Sequence, residues 1–225
     1  MSYIEPLRDL NDLSPKYCPG FNKKWPLKTP TDYELLHDYL QKVNYSIQDF
    51  NATIENGFTQ NRKDIIFLVA LTDWIIEATE KIPECYRDEI VSAFAYSREF
   101  ELAAYKEFFK AVRSFVLAHP LGTDRHPKFG LNGDFLCVDL GSGGSAVHLH
   151  DKGFHRLALD GLSPVNKMSE SDVVLSVYSK KDGAAFFQHI CFDMEDLRNV
   201  AAAHIDCLYE LDRHISRLRK SEFST

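Results

Sequence analysis

Short cysteine spacings are missing from this sequence. The five cysteines stand at 18, 85, 137, 191 and 207, no two closer than sixteen residues, and no Cys-x-x-Cys pair occurs. An odd count with wide gaps excludes a thiolate zinc knuckle and argues against the paired framework of a small secreted domain. Long apolar runs are missing as well, since no stretch approaches the roughly 20 residues that a membrane span needs. Met1 to Pro6 show no charged segment followed by an apolar one, so no secretory leader is expected. There is no basic excess either. Lys and Arg number 26 against 33 Asp and Glu, a net charge of −7, which excludes a surface coated in nucleic acid but allows a local basic site. These absences point to a cytoplasmic chain with reduced thiols. Gly141-Ser142-Gly143-Gly144-Ser145 follows a strand-like run but ends in no Lys-Ser/Thr pair, and no Gly-x-Gly-x-x-Gly exists; a flexible turn is the expectation there.

The chain has 225 residues, of which 44% are hydrophobic and 26% charged, within the range of globular proteins. Five of the nine prolines fall in the first thirty residues. Residues 1–30 therefore read as an extended, irregular arm. Its Ile4, Leu7, Leu10, Phe21, Trp25 and Leu27 suit an arm laid over a core or a partner. Residues 31–225 read as one helical domain. Thr31-Asp32-Tyr33-Glu34 fits a capping box. Apolar positions then recur at Tyr33, Leu36, Leu40, Val43, Ile47, Phe50 and Ile54 in steps of three and four, with Gly57 as the C-cap. A second helix is predicted from Asn61 to Ile82, stopped by Pro83, and a third from Asp88 towards Pro120.

Residues 120–172 hold eight of the eleven glycines and three prolines, a texture of loops and short strands. Strand-like runs lie at 135–140, 173–178 and 185–191, with a hairpin turn at Lys180-Lys181-Asp182-Gly183. Asp193 is placed to cap a last helix, with Phe192 and Leu197 as a hydrophobic staple. That helix carries Leu197, Val200, Ala201, His204, Leu208, Leu211, Ile215 and Leu218 on one stripe, with His204 a satisfied interface histidine. The predicted fold is mostly α: a bundle of about four long helices with a small β insertion, at about 133–192, before the last.

One constellation carries chemistry. Arg113-Ser114-Phe115-Val116-Leu117-Ala118-His119-Pro120 sets an Arg and a His six positions apart at the end of the third helix. Metal-free cleavage of RNA needs a base for the 2′-hydroxyl proton and an acid for the leaving 5′-oxygen, and imidazole serves either role near neutral pH. Charge gathers on the phosphorane oxygens, which an Arg fork matches in geometry. Pro120 biases His119 out of the helical region, so its ring can swing beside Arg113. Read from the residues alone, Arg113 can equally pair with Glu107 or Glu101, and His119 can serve as a C-cap.

The Arg-x5-His segment in a helical setting resembles the Arg-x(4–6)-His motif of HEPN proteins. That resemblance covers the helical part of the chain. It implies a metal-independent RNA endonuclease of toxin or phage-defence type, without cofactor, with Arg113 and His119 catalytic. It also implies a homodimer in which two motifs meet, and an antitoxin or defence partner protein. A catalytically silent HEPN-like module that binds RNA or protein is the alternative, and a small-molecule enzyme using the β insertion is a third.

From Lys106 to Lys128 there are five basic and two acidic residues, a local reversal of the overall charge. Ser114, Arg125, His126 and Lys128 are accordingly candidate RNA-binding residues. A solvated loop or a turn at His126-Pro127 accounts for the same residues. His148, His150, Asp151 and His155 form a weak metal-like cluster, with solvated loop histidines the simpler expectation.

Overall fold

A capping box opens the first helix two residues earlier than Thr31 and Glu34 would place it. In the computed structural model the Thr29 N–H donates to Asp32 Oδ2 (2.8 Å), and the Asp32 N–H donates back to Thr29 Oγ1 (3.4 Å). Thr29-Pro30-Thr31-Asp32 repeats the capping pattern, and Pro30 directly precedes the first helical residue, where its fixed φ is favourable and its missing amide costs nothing. Helix α1 then runs Thr31–Glu55. Residues 4–13, 27–56, 62–118, 122–126, 131–142, 154–158, 161–164, 172–181 and 184–222 are described by the structure. Gly57, the expected cap of α1, lies outside them.

The fold is mostly α. Helix α2 spans Arg62–Lys81 and passes into a 3-10 turn, Ile82–Cys85, with Pro83 in its opening positions. Helix α3 spans Asp88–Arg113 and continues as a π-helical turn, Ser114–Ala118. Helix α4 spans Met194–Glu222. Between α3 and α4 lie six strands: β1 Gly122–His126, β2 Leu131–Ser142, β3 Phe154–Ala158, β4 Gly161–Pro164, β5 Val173–Lys181 and β6 Ala184–Phe192. Three strands were expected; β2, β5 and β6 contain them, each extended by some residues.

Two compact units divide the chain. The first comprises Met1–Glu5, Thr53–Ala70 and Ala104–Val200; the second comprises Pro6–Ala52, Leu71–Ala103 and Ala201–Thr225. No linker separates them in sequence, because α1, α2, α3 and α4 each contribute residues to both.

The first unit carries the sheet, ordered β1-β2-β5-β6-β3-β4. Neighbours are antiparallel apart from β3 and β6, which pair in parallel with Arg156 opposite Cys191. β5 and β6 pair from Val173↔Phe192 to Lys181↔Ala184, the antiparallel pair that the hairpin signal calls for, while Asp182 and Gly183 fall outside the described residues. Leu157, Val173, Val174, Cys191 and Phe192 are buried with Phe108, Val112, Phe115 and Leu197 in the core of this unit.

The second unit buries the predicted stripes of α1 (Leu36, Leu40, Val43, Ile47, Phe50) and α4 (Ala201, His204, Leu208, Leu211, Ile215). The side chain of Leu218 lies outside the described residues. Part of the arm belongs to this core, since Leu7, Leu10 and Leu13 are all buried. Asn51 of α1 holds the arm by both backbone groups of Leu7: its Oδ1 accepts the Leu7 N–H at 2.7 Å and its Nδ2 donates to the Leu7 carbonyl at 2.9 Å. The Tyr209 hydroxyl of α4 donates to the Asp9 carbonyl, and the Arg8 guanidinium stacks 3.5 Å above the Tyr209 ring. Further along, Leu27 bridges to Tyr86, and Lys28 pairs with Asp88 at 2.9 Å. Phe21 and Trp25 fall outside the described residues.

Candidate functional site

Arg113 is the last residue of α3 and is solvent-exposed. Exposure follows from helical phase, because Ala111, Val112, Phe115 and Val116 take the buried positions around it. The backbone then widens into the π turn, a geometry that recurs at functional sites because it shifts side-chain phase by a fraction of a turn. Ser114, the first residue of that turn, is half-buried. Its Oγ and His126 Nε2 are hydrogen-bonded at 2.9 Å. The hydroxyl donates when the imidazole proton is on Nδ1, and Nε2–H donates otherwise.

His126 is 8% exposed, and its ring lies 6.3 Å, centroid to centroid, from Phe115 at a tilt of 52°. It closes β1 opposite Leu131 of β2, and the register shifts between Thr123 and His126. A bulge of this kind re-aims side chains at a sheet margin. Arg125 belongs to this shifted stretch. The end of α3 and the end of β1 are thus tied by one polar contact, between two residues named from sequence for RNA. His119 and Lys128 fall outside the described residues, so the approach of His119 to Arg113 does too. An imidazole and a hydroxyl in contact can share a proton, and Arg113 directly precedes the hydroxyl-bearing Ser114 in the chain.

A second polar cluster, which the sequence reading did not assemble, sits where α4 begins. Asp172 Oδ2 accepts the Met194 N–H at 3.1 Å, so the amide of the first helical residue is capped by Asp172 from just before β5. The Asp193 side chain was expected to cap this helix. It is engaged instead by Arg156, which its position opposite Cys191 brings within reach, and by the Asp172 backbone amide. Asp196 lies 3.7 Å from the same guanidinium. Burial pushes the Asp193 and Asp196 carboxyls above their ordinary values, and Arg156 opposes that rise in both. A guanidinium between two desolvated carboxylates is a latch between strand and helix. Asp-x-x-Asp at a strand-to-helix junction was its one sequence signal; the arginine 37 positions earlier carried none.

Among the described residues no three His, Cys, Asp or Glu side chains group as metal ligands. His155 stands on β3, whereas His148, His150 and Asp151 fall outside the described residues. No described helix is long and apolar enough to cross a membrane. Among the described residues Cys85, Cys191 and Cys207 are not in disulfides. No known family model matches this sequence, and no curated protein or solved structure shows significant similarity to it.

Proposed function

We propose that the chain is a metal-independent RNA endonuclease of HEPN type, acting as a cytoplasmic homodimer whose activity a partner protein restrains. Arg113 stabilises the phosphorane oxygens, and His119 moves the proton. Ser114, Arg125, His126 and Lys128 hold the neighbouring phosphates. The observation that supports this reading is the junction at the end of α3. An exposed arginine ends the helix, a π turn follows, and the Ser114–His126 contact fixes a strand carrying a second arginine beside it. Phosphate recognition needs cationic groups on a rigid base, and that junction provides one.

The test is cleavage of purified RNA in EDTA, with products examined at their 3′ ends. Cleavage to 2′,3′-cyclic phosphate is expected, because the neighbouring hydroxyl attacks. His119→Ala and Arg113→Ala should each lower the rate by about 10² to 10⁴, the usual worth of a general acid–base or a charge-stabilising group. Melting should change little, since Arg113 is exposed. Light scattering should report a dimer. Loss of activity in EDTA, or 3′-hydroxyl ends, would refute the mechanism. A second reading has its own support: the Ser114 hydroxyl, directly after the arginine, is engaged by a buried histidine, which suits a rigid binding platform. Tight RNA binding without cleavage, unaffected by His119→Ala, would select that silent module.

A further inference from the structure

A cleft of about 510 Å³ lies between α1 and α2 in the second unit, and none of its lining residues is among those assigned to RNA. Asp38 and Lys42 of α1 and Trp74, Glu77, Glu80 and Lys81 of α2 line it. Three features give it a chemical preference. Trp74 is 40% exposed, although an indole is among the most costly surfaces to leave in water. Its face is covered by a cation from the chain itself, with Lys42 Nζ 4.0 Å from the ring centroid. The walls carry three carboxylates against two cations, a formal excess of one negative charge; Lys81 is paired with Glu84 at 2.8 and 3.0 Å, and Asp38 lies 3.8 Å from His37 Nδ1. An acidic wall around an aromatic face repels phosphate and attracts an organic cation.

The surroundings decide how that cation arrives. Leu35 and Tyr45 are 43% and 55% exposed. At 100° per residue they share one face of α1 with Asp38 and Lys42, in steps of three, four and three. A free small cation has no use for such an apolar margin, but a polypeptide does. We infer that the α1–α2 cleft docks an arginine-bearing segment of a partner polypeptide, whose guanidinium displaces Lys42 from the face of Trp74 and is held by the carboxylate wall. Arginine suits the place better than lysine because its planar, weakly hydrated head stacks on indole while pairing in plane with carboxylates. Lys42 is then an internal competitor that keeps the ring covered while the cleft is empty. This inference does not depend on the RNA-cleaving reading.

The experiment is calorimetric titration of the full-length protein with the blocked pentapeptide acetyl-Ala-Leu-Arg-Leu-Ala-amide. Its citrulline analogue and N-acetylarginine amide are the comparison ligands. The arginine peptide should bind about tenfold more tightly than either, since the analogue lacks the charge and the amide lacks the flanking leucines. Lys42→Ala removes the competitor and a like charge, so affinity should rise about two- to fivefold, the worth of one exposed cation–π contact. Trp74→Leu should lower it about tenfold, with the melting curve confirming a folded protein. Equal binding of the citrulline peptide, weaker binding to Lys42→Ala, or no saturable binding overturns the inference. Equal affinity for N-acetylarginine amide overturns the polypeptide source.

Discussion

Replacing Asn51 by alanine should loosen the N-terminal arm without touching its apolar contacts. Among the described residues Asn51 partners both backbone groups of Leu7, at 2.7 and 2.9 Å, and Leu7 is 3% exposed. A buried backbone donor or acceptor left without a partner costs about 1–3 kcal/mol. Both bonds are partly buried, so water recovers part of this, and the loss for the pair should be about 2–3 kcal/mol. Asn51→Asp keeps an acceptor for the N–H but loses the donor for the carbonyl, so about half of that loss is expected. The competing view is that Leu7, Leu10 and Leu13 alone hold the arm, each by about 1.5–3 kcal/mol of apolar burial. Urea titration followed by circular dichroism measures the stability, and hydrogen exchange at Leu7 and Leu13 locates it. The Leu13 N–H donates to the Leu10 carbonyl at 3.1 Å within the arm, so its protection reports whether the arm keeps its own turn once released. A loss below about 0.5 kcal/mol with unchanged exchange at Leu7, or equal losses for alanine and aspartate, would refute the clamp and leave the leucines as the only anchor.

Two further outcomes follow from burial. The folded-state carboxyls of Asp193 and Asp196 lie above the ordinary value of 3.8, chiefly through desolvation, with Arg156 opposing the rise. The folded state therefore binds more protons than the unfolded chain in that range, and these two groups add stability as pH falls towards 3.8. Arg156→Ala removes the opposing charge, so this acid gain should begin at a higher pH, visible in urea midpoints measured from pH 7 to 4; matching profiles for both proteins would refute it. Burial also pushes the Cys85 thiol from 9.0 up to about 11. At pH 8 its thiolate fraction should be about a hundredfold below that of an ordinary thiol, so iodoacetamide should label it correspondingly slowly; labelling at the rate seen in denaturant would contradict the burial.

Helices α1 and α4 were legible because their buried positions keep one period over many turns, and Leu36 to Phe50 and Leu197 to Ile215 are buried as that period demands. Their first residues were less so. Two overlapping capping patterns compete at α1, and proline decides for Thr29. At α4 the capping carboxylate comes from Asp172, which no local pattern can reveal. Strands β1, β3 and β4 escaped notice because Gly-Thr-Asp-Arg-His and Gly-Leu-Ser-Pro read as turns, and β3 is five residues long and follows the glycine-rich stretch 141–153. β1 and β4 pair with their chain neighbours β2 and β3, while β3 also pairs with β6, a partner far along the chain that no local pattern reveals. The same holds for the site. Arg113 and Ser114 could be set at a helix end from Pro120, whereas the contact of Ser114 with His126 depends on where β1 turns back.

The two stems by which the sheet enters and leaves the helical chain are each fastened by their own side chains. Ser114 and His126 close the entrance, and Asp172, Arg156, Asp193 and Asp196 close the exit. A segment pinned in this way is insulated. Residues gained or lost in its connections shift little beyond the pins, so the stretch between them can change length and composition over evolution while the helix ends keep their places. For an engineer the same arrangement marks a cassette: the connections between strands can be exchanged, provided that the fastenings and the buried Leu157, Val173, Val174, Cys191 and Phe192 are kept.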